Sequence, residues 1–180
     1  MAETTKAKAR RISEGWFEKY IAGSGIDIGC QHDPIDESFR KWDLIFGDGD
    51  ATFMEGIEDG TYQTVYASHV LEHLENPAEG VRNWYRITAS GGHLIILVPH
   101  RDLYEKKERL PSNWNFDHKS YWLPDRSEEP DTKCFKDVIL EAVPDADIIS
   151  YKVLDADYAS NGPGNHPQGE YSIEAIIKKP

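Results

Sequence analysis

Two histidines and a glutamate fall close together in Tyr66-Ala67-Ser68-His69-Val70-Leu71-Glu72-His73-Leu74. On a helix, imidazoles four apart share a face and can share a zinc ion, and the order His-x-x-Glu-His is a zinc-site order too. A metallohydrolase using His69, Glu72 and His73 is therefore one reading, although no third ligand with its flanking helix is evident. The simpler reading is a polar helix start whose rings are satisfied locally. Asp27 interrupts the apolar run Ile26-Asp27-Ile28-Gly29. A buried acid is costly unless hydrogen-bonded, so Asp27 either caps local amides or shapes a ligand loop, where Gly29 would let a ligand approach the backbone. Asp43 follows Phe39-Arg40-Lys41-Trp42 and is either a solvated turn acid or an acceptor for a ribose diol. Asp48, Asp50 and Glu55 crowd the next stretch. Such a loop repels phosphate, and no GxxxxGK[ST] sequence is present. A phosphate-free nucleoside or a cationic ligand fits better than a nucleoside triphosphate.

Between Leu103 and Leu123, the rings of Tyr104, Trp114, Phe116, Tyr121 and Trp122 are interleaved with Asn113, Asn115 and Asp117. Aromatic faces beside short amides suit a sugar ring, which offers C–H faces and hydroxyls. The alternative is a satellite hydrophobic cluster beneath a long loop.

Strands must position these groups. Ile26–Ile28, Trp42–Ile45, the β-branched and aromatic Tyr62–Ala67, the almost wholly apolar His93–Val98, Asp147–Val153 and Tyr171–Ile177 read as strands. Ser13–Ile21, Val70–Leu74, Pro77–Ile87 and Phe135–Val143 read as helices, with Pro77 suited to a first turn. Residues 1–12 are expected to be flexible, and residues 99–130 to form a lid or substrate-binding insertion. Strands alternating with helices predict one α/β domain over residues 1–180, with a mostly parallel sheet that binds ligands at the carboxyl ends of its strands.

The 180 residues carry 20 Lys and Arg against 32 Asp and Glu, a formal net charge of -12. That balance argues against nucleic acid or an anionic membrane as the main partner. No apolar run reaches the ~20 residues of a membrane span. The N-terminus lacks the apolar stretch of a secretory signal. Cys30 and Cys134, far apart and outside any CxxC, read as reduced thiols, which together place the chain in the cytoplasm.

The pieces resemble a class I S-adenosylmethionine-dependent methyltransferase. Gly25-Ile26-Asp27-Ile28-Gly29-Cys30 is similar to that family's first motif, and Asp48-Gly49-Asp50-Ala51 to its later acidic segment. Tyr66 to Leu74 is similar to its strand-four motif, and Arg86-Ile87-Thr88-Ala89-Ser90-Gly91-Gly92-His93-Leu94-Ile95-Ile96 to its turn into strand five. A narrower resemblance, to small enzymes of sugar and surface-glycan pathways, is carried by Pro99 to Glu105 and Trp114 to Lys119. The resemblance implies a three-layer, Rossmann-like, doubly wound sheet, mostly parallel with an antiparallel last strand. It implies S-adenosylmethionine as cofactor, no metal, and methyl transfer to an oxygen of a small polar acceptor, with a sugar or glycan among the candidates. Asp27, Gly29 and Cys30 would line the methionine, Asp43 the ribose, and Asp50 and Ala51 the adenine. Ser68 and His69 would face the sulfonium. Tyr104, Trp114, Asn115 and Phe116 would hold the acceptor, and His69, His100 and His118 are the candidate bases. The sequence departs from the pattern in three places. Gln31 and Asp33 replace loop glycines, the stretch from Gly29 to Trp42 is too short for a full helix and strand, and Ser90 stands where proline is common. A non-catalytic relative that kept the fold is thus the second hypothesis.

Overall fold

A computed structural model describes residues 3–162 and 164–180. Its centre is a six-stranded sheet in the order β2-β1-β3-β4-β8-β7. The strands are β1 (Gly25–Ile28), β2 (Arg40–Trp42), β3 (Tyr62–Ser68), β4 (Thr88–Pro99), β7 (Asp147–Leu154) and β8 (Ser172–Lys178). β1 pairs in parallel with both β2 and β3, and β3 with β4. β8 runs antiparallel to β4 and to β7, so the antiparallel last strand is as expected. A second, two-stranded parallel sheet joins β5 (Tyr121–Leu123) to β6 (Thr132–Cys134).

The period of two along the strands sorts side chains into two cores. Val65, Ala67, Leu94, Ile96 and Val98 pack on one face with Val81 and Trp84 of α3 (Pro77–Ile87) and Val138 and Ile139 of α5 (Phe135–Ala142). Tyr66, Ile95, Leu97 and Ile176 pack on the other with Trp16 and Tyr20 of α2 (Trp16–Tyr20). The result is three layers. α3 forms where the sequence predicts it: Asn76 accepts a cap bond from Glu79 N, and Pro77 sits in the first turn. Burying side chains of the size of Val81 and Ile87 stabilises by about 1.5–3 kcal/mol each.

Two predicted elements change, and an N-terminal helix joins the fold. Of the segment expected to be flexible, residues 1 and 2 lie outside the described residues, and the rest belongs to helix α1 (Glu3–Ser13). Polar anchors hold that helix. Arg11 is fully buried, its Nη1 donating to Tyr66 Oη at 3.0 Å and its Nη2 lying 3.4 Å from Glu174 Oε2. Arg10 makes a two-bond fork with Glu170. The predicted strand Trp42–Ile45 ends at Trp42, because Asp43 caps a 3-10 turn at Leu44–Phe46. The stretch Val70–Leu74 holds a 3-10 turn, Leu71–His73, rather than an α-helix.

The segment 99–130 is also divided. Tyr121, Trp122 and Leu123 are core, with Trp122 fully buried against Phe135. Only the part from α4 (Arg101–Tyr104) to β5 is loop that faces the carboxyl end of the sheet.

Candidate functional site

Strand order reverses at β1, which has β2 on one side and β3 on the other. In open α/β sheets a crevice opens there, beyond the carboxyl ends of the strands. Two adjoining cavities occupy it, of about 630 Å³ and about 680 Å³, with Gly29, Gln31, His69, His73 and Asn115 lining both. They form one cleft with two halves.

Acids and backbone shape one half. Asp43, Gly49, Asp50 and Ala51 line it. Asp43 Oδ2 accepts from Gln31 N and Oδ1 from Ile45 N, each at 3.0 Å. The carboxylate thereby ties the turn after β1 to the turn after β2, and each oxygen keeps capacity for a further donor. Gly29 takes a left-handed φ of 73°, and a Cβ there would lie 2.2 Å from Val70 Cγ2, so a side chain at this position would be strained and would displace Val70. Gln31, standing where the resemblance expects glycine, is also left-handed at φ 47°. The altered loop bends the chain as glycine would and leaves the cleft open.

Asp27 lines the other half and also does structural work, its Oδ2 accepting from Ile35 N at 2.6 Å. Burial pushes its carboxyl up to about 7. Burial also raises the Cys30 thiol, to about 11, so Cys30 lines the cleft as a neutral group. Ser68 Oγ is buried without a hydrogen-bond partner among the described residues, and Ser68 lines the cleft at the end of β3. Next to it His69 has φ 57°, an uncommon conformation for a non-glycine residue and one that clusters at functional sites. Its Nε2 lies 2.8 Å from Ser172 Oγ, and its Nδ1 3.7 Å from Glu72 Oε1.

Across the cleft stands His118, with Nδ1 2.9 Å from Glu105 Oε1. Both are buried. The bond from Lys119 N to Glu72 O, 2.7 Å, brings this loop to the turn after β3. His73 packs edge-on against His118, and burial, then His118, pushes its pKa down to about 4, so its ring is neutral near pH 7. Glu72 and Glu105 complete the cluster.

The structure thus gathers Asp27, Gly29, Cys30, Asp43, Asp50, Ala51, Ser68, His69, Tyr104, Asn115 and His118 along one cleft. It does not bring in the other three candidates. His100 turns its Nδ1 to cap α4 at Asp102 N and lines neither cavity. Trp114 donates from Nε1 to Tyr104 O and packs on His166, behind the cleft wall. Phe116 is 82% exposed on the outer side of its loop. Glu105 was invisible in the sequence. Thr4 and Thr5 of α1 were as well, and they line the half that Asp27 lines.

The doubly wound sheet, the crevice at its switch point and the acid on the turn after β2 are the features by which α/β folds bind a nucleoside. A family model described as a methyltransferase domain matches residues 9–128, more than half of the chain. The chain belongs to that family, and family and fold together imply S-adenosylmethionine as cofactor. The residues present fit it: Asp43 and Asp50 line the cleft and can meet hydroxyl and amine donors. Ajmaline N-methyltransferase of Rauvolfia serpentina is 37% identical over 68 residues, 37% of this chain and 23% of the plant protein. The chain therefore matches about a quarter of that relative's length. The solved S-adenosylmethionine-dependent methyltransferase of Mesorhizobium loti superposes with TM-score 0.52 at 10% identity, covering 87% of this chain and 90% of its own. The [4+2]-cyclase SpnF superposes with TM-score 0.54 at 11% identity, covering 96% and 82%. Likeness at this level shows the fold. Among the described residues, no helix is long and apolar enough to cross a membrane.

Proposed function

We propose that the chain transfers the methyl group of S-adenosylmethionine to an oxygen of a small, polar acceptor without negative charge, with sugar-like polyols the leading candidates. The observation that supports this most is the junction of the two halves of the cleft at Gly29, Ser68 and His69. A sulfonium supplies an already electrophilic methyl, so the chain's task is alignment and removal of a proton. On this reading Asp43 and Asp50 hold the nucleoside, Tyr104 and Asn115 orient the acceptor, and His69 takes its hydroxyl proton. The O–C bond forms as the C–S bond breaks, the electron pair stays on sulfur, and the proton ends on imidazole. Glu72, 3.7 Å from His69 Nδ1, stabilises the imidazolium.

Charge narrows the acceptor. Asp27, Asp33 and Glu72 line this half, with no Lys or Arg among its described lining residues. Phosphorylated sugars and nucleotide sugars would meet carboxylates with no counter-charge. The same lining favours an amine as a second reading. An assay of S-adenosylhomocysteine release over neutral polyols, sugar phosphates, nucleotide sugars and amines tests both. Turnover with polyols and none with sugar phosphates is the expected result. Turnover confined to amines would replace oxygen by nitrogen, and turnover confined to nucleotide sugars would defeat the charge argument.

A further inference from the structure

The sequence places His69, Glu72 and His73 at zinc-site spacing, yet the fold groups the donors differently. Ser172 holds His69, while the loop after α4 delivers His118 to the same spot. Glu72, His73 and His118 each present one ligand atom, and the three atoms lie within 4.8 Å of one another. We propose that Glu72, His73 and His118 form a binding site for a divalent transition-metal cation of the Zn²⁺ type, in the acceptor half of the cleft.

Four observations carry it. His118 Nε2 and Glu72 Oε1 are 3.9 Å apart, beyond hydrogen-bond contact. Two ligands on one zinc ion, at about 2.0–2.2 Å each, stand roughly 3.3 Å apart in a tetrahedral site, so a small closing movement seats the ion. Glu105 Oε1 lies 2.9 Å from His118 Nδ1. A carboxylate there fixes the tautomer whose Nε2 lone pair points at Glu72, the outer-shell support that metal-binding imidazoles have. Glu105 is itself held, its Oε2 accepting from Asn113 N at 3.2 Å. Two imidazoles and one carboxylate select transition cations over Mg²⁺ or Ca²⁺. Three protein ligands at the wall of an open cavity leave a position for a ligand from solvent or acceptor.

The role of such an ion rests on the proposed methyl transfer: an acceptor hydroxyl on the open position loses its proton to His69 more readily. The binding itself does not depend on that reading. The experiment uses the full chain, tag removed and stripped with a chelator, titrated with Co²⁺ and followed by its visible ligand-field bands, with Zn²⁺ as competitor. One equivalent of Co²⁺ should give the intense bands of a four- or five-coordinate ion, displaced by Zn²⁺. His118→Ala and Glu72→Gln should abolish them. Glu105→Gln should weaken binding about 10- to 100-fold. His69→Ala should keep the bands, since His69 is not a ligand. Circular dichroism checks that each variant is folded, and should one unfold, the wild-type stoichiometry and spectrum still decide. Weak, octahedral-type bands or no saturable binding by the wild type would overturn the proposal. So would loss of the bands in His69→Ala with retention in His118→Ala. Calorimetry with S-adenosylhomocysteine on the same samples separates the two claims. Cofactor binding without metal refutes the cation site alone, and metal binding without cofactor refutes the methyl-transfer reading alone.

Discussion

Asp27 gives a stability profile that can be worked from its surroundings. Asp27 is 1% exposed near the carboxyl end of β1, with one backbone bond from Ile35 N, and Asp33 and Asp43 add negative charge nearby. Arg11 opposes them, but burial dominates and the pKa rises from 3.8 to about 7. The folded state therefore holds its proton more tightly than the unfolded chain. The stability this contributes is fully present below pH 3.8 and is lost as the pH rises through about 7. The whole span is worth roughly 4 kcal/mol, at about 1.4 kcal/mol per tenfold. Asp27→Asn removes the titration and keeps an oxygen for Ile35 N. Urea unfolding of both chains at a series of pH values between 4 and 8, with unchanged m, reads the difference. The variant should gain on the wild type steadily with pH, by several kcal/mol in total. Any constant cost of the buried amide cancels in that slope. Parallel curves would show that Asp27 does not titrate in this window. A variant that loses ground with rising pH would show that Arg11 holds the carboxylate ionised, and would refute the reasoning.

Asp43→Ala should weaken S-adenosylhomocysteine binding about ten- to a hundredfold, since hydrogen bonds to a charged acceptor are worth roughly 1.5–3 kcal/mol; an unchanged dissociation constant by calorimetry would reduce Asp43 to a loop tie. Trp114→Ala should lower acceptor turnover, because Trp114 props Tyr104 through its carbonyl, while cofactor affinity stays within about threefold. In hydrogen exchange, Tyr121–Leu123 should be as protected as Leu94–Val98, while the amides of residues 106–117 exchange faster until acceptor is added. Equal protection of both stretches in the free protein would make the whole segment core.

The elements that sequence reading places correctly declare themselves locally. His93–Val98 is a short run of apolar residues, and Pro77 to Ile87 carries its own cap and its own helical stripe. α1 does not. Its face is polar, and its hold on the fold comes from Glu170 and Glu174, more than 150 residues away, which meet Arg10 and Arg11 only after β8 enters the sheet. The site divides in the same way. Asp27, Asp43, Ser68 and His69 are legible because they lie within one residue of a strand's carboxyl end, and strand ends converge at the crevice. The pairing of Glu105 with His118 depends on the path of a loop tied to the β3 turn by backbone bonds from Lys119 N and Ser120 N to Glu72 O. Composition likewise identifies an aromatic loop but not which of its sides faces inward, so Tyr104 and Asn115 reach the cleft while Phe116 faces water.

The shortened first crossover shows why these acids are where they are. Residues 29–39 connect β1 to β2 without a helix. A loop of that length needs partners for its backbone groups, and the acids supply them. Asp27 takes Ile35 N and Asp43 takes Gln31 N, while Asp33 of the loop takes Thr5 N and so ties the loop to α1. Two of these three carboxylates are also assigned to the cofactor by the resemblance. Two groups that would receive the cofactor are thus held in position by the bonds that hold the loop, before any ligand arrives. Binding then pays little for ordering the loop, which is the usual benefit of preorganisation. It also explains how Gln31 can stand in a glycine position: Asp43 accepts its amide directly and stabilises the left-handed turn that glycine would otherwise supply unaided.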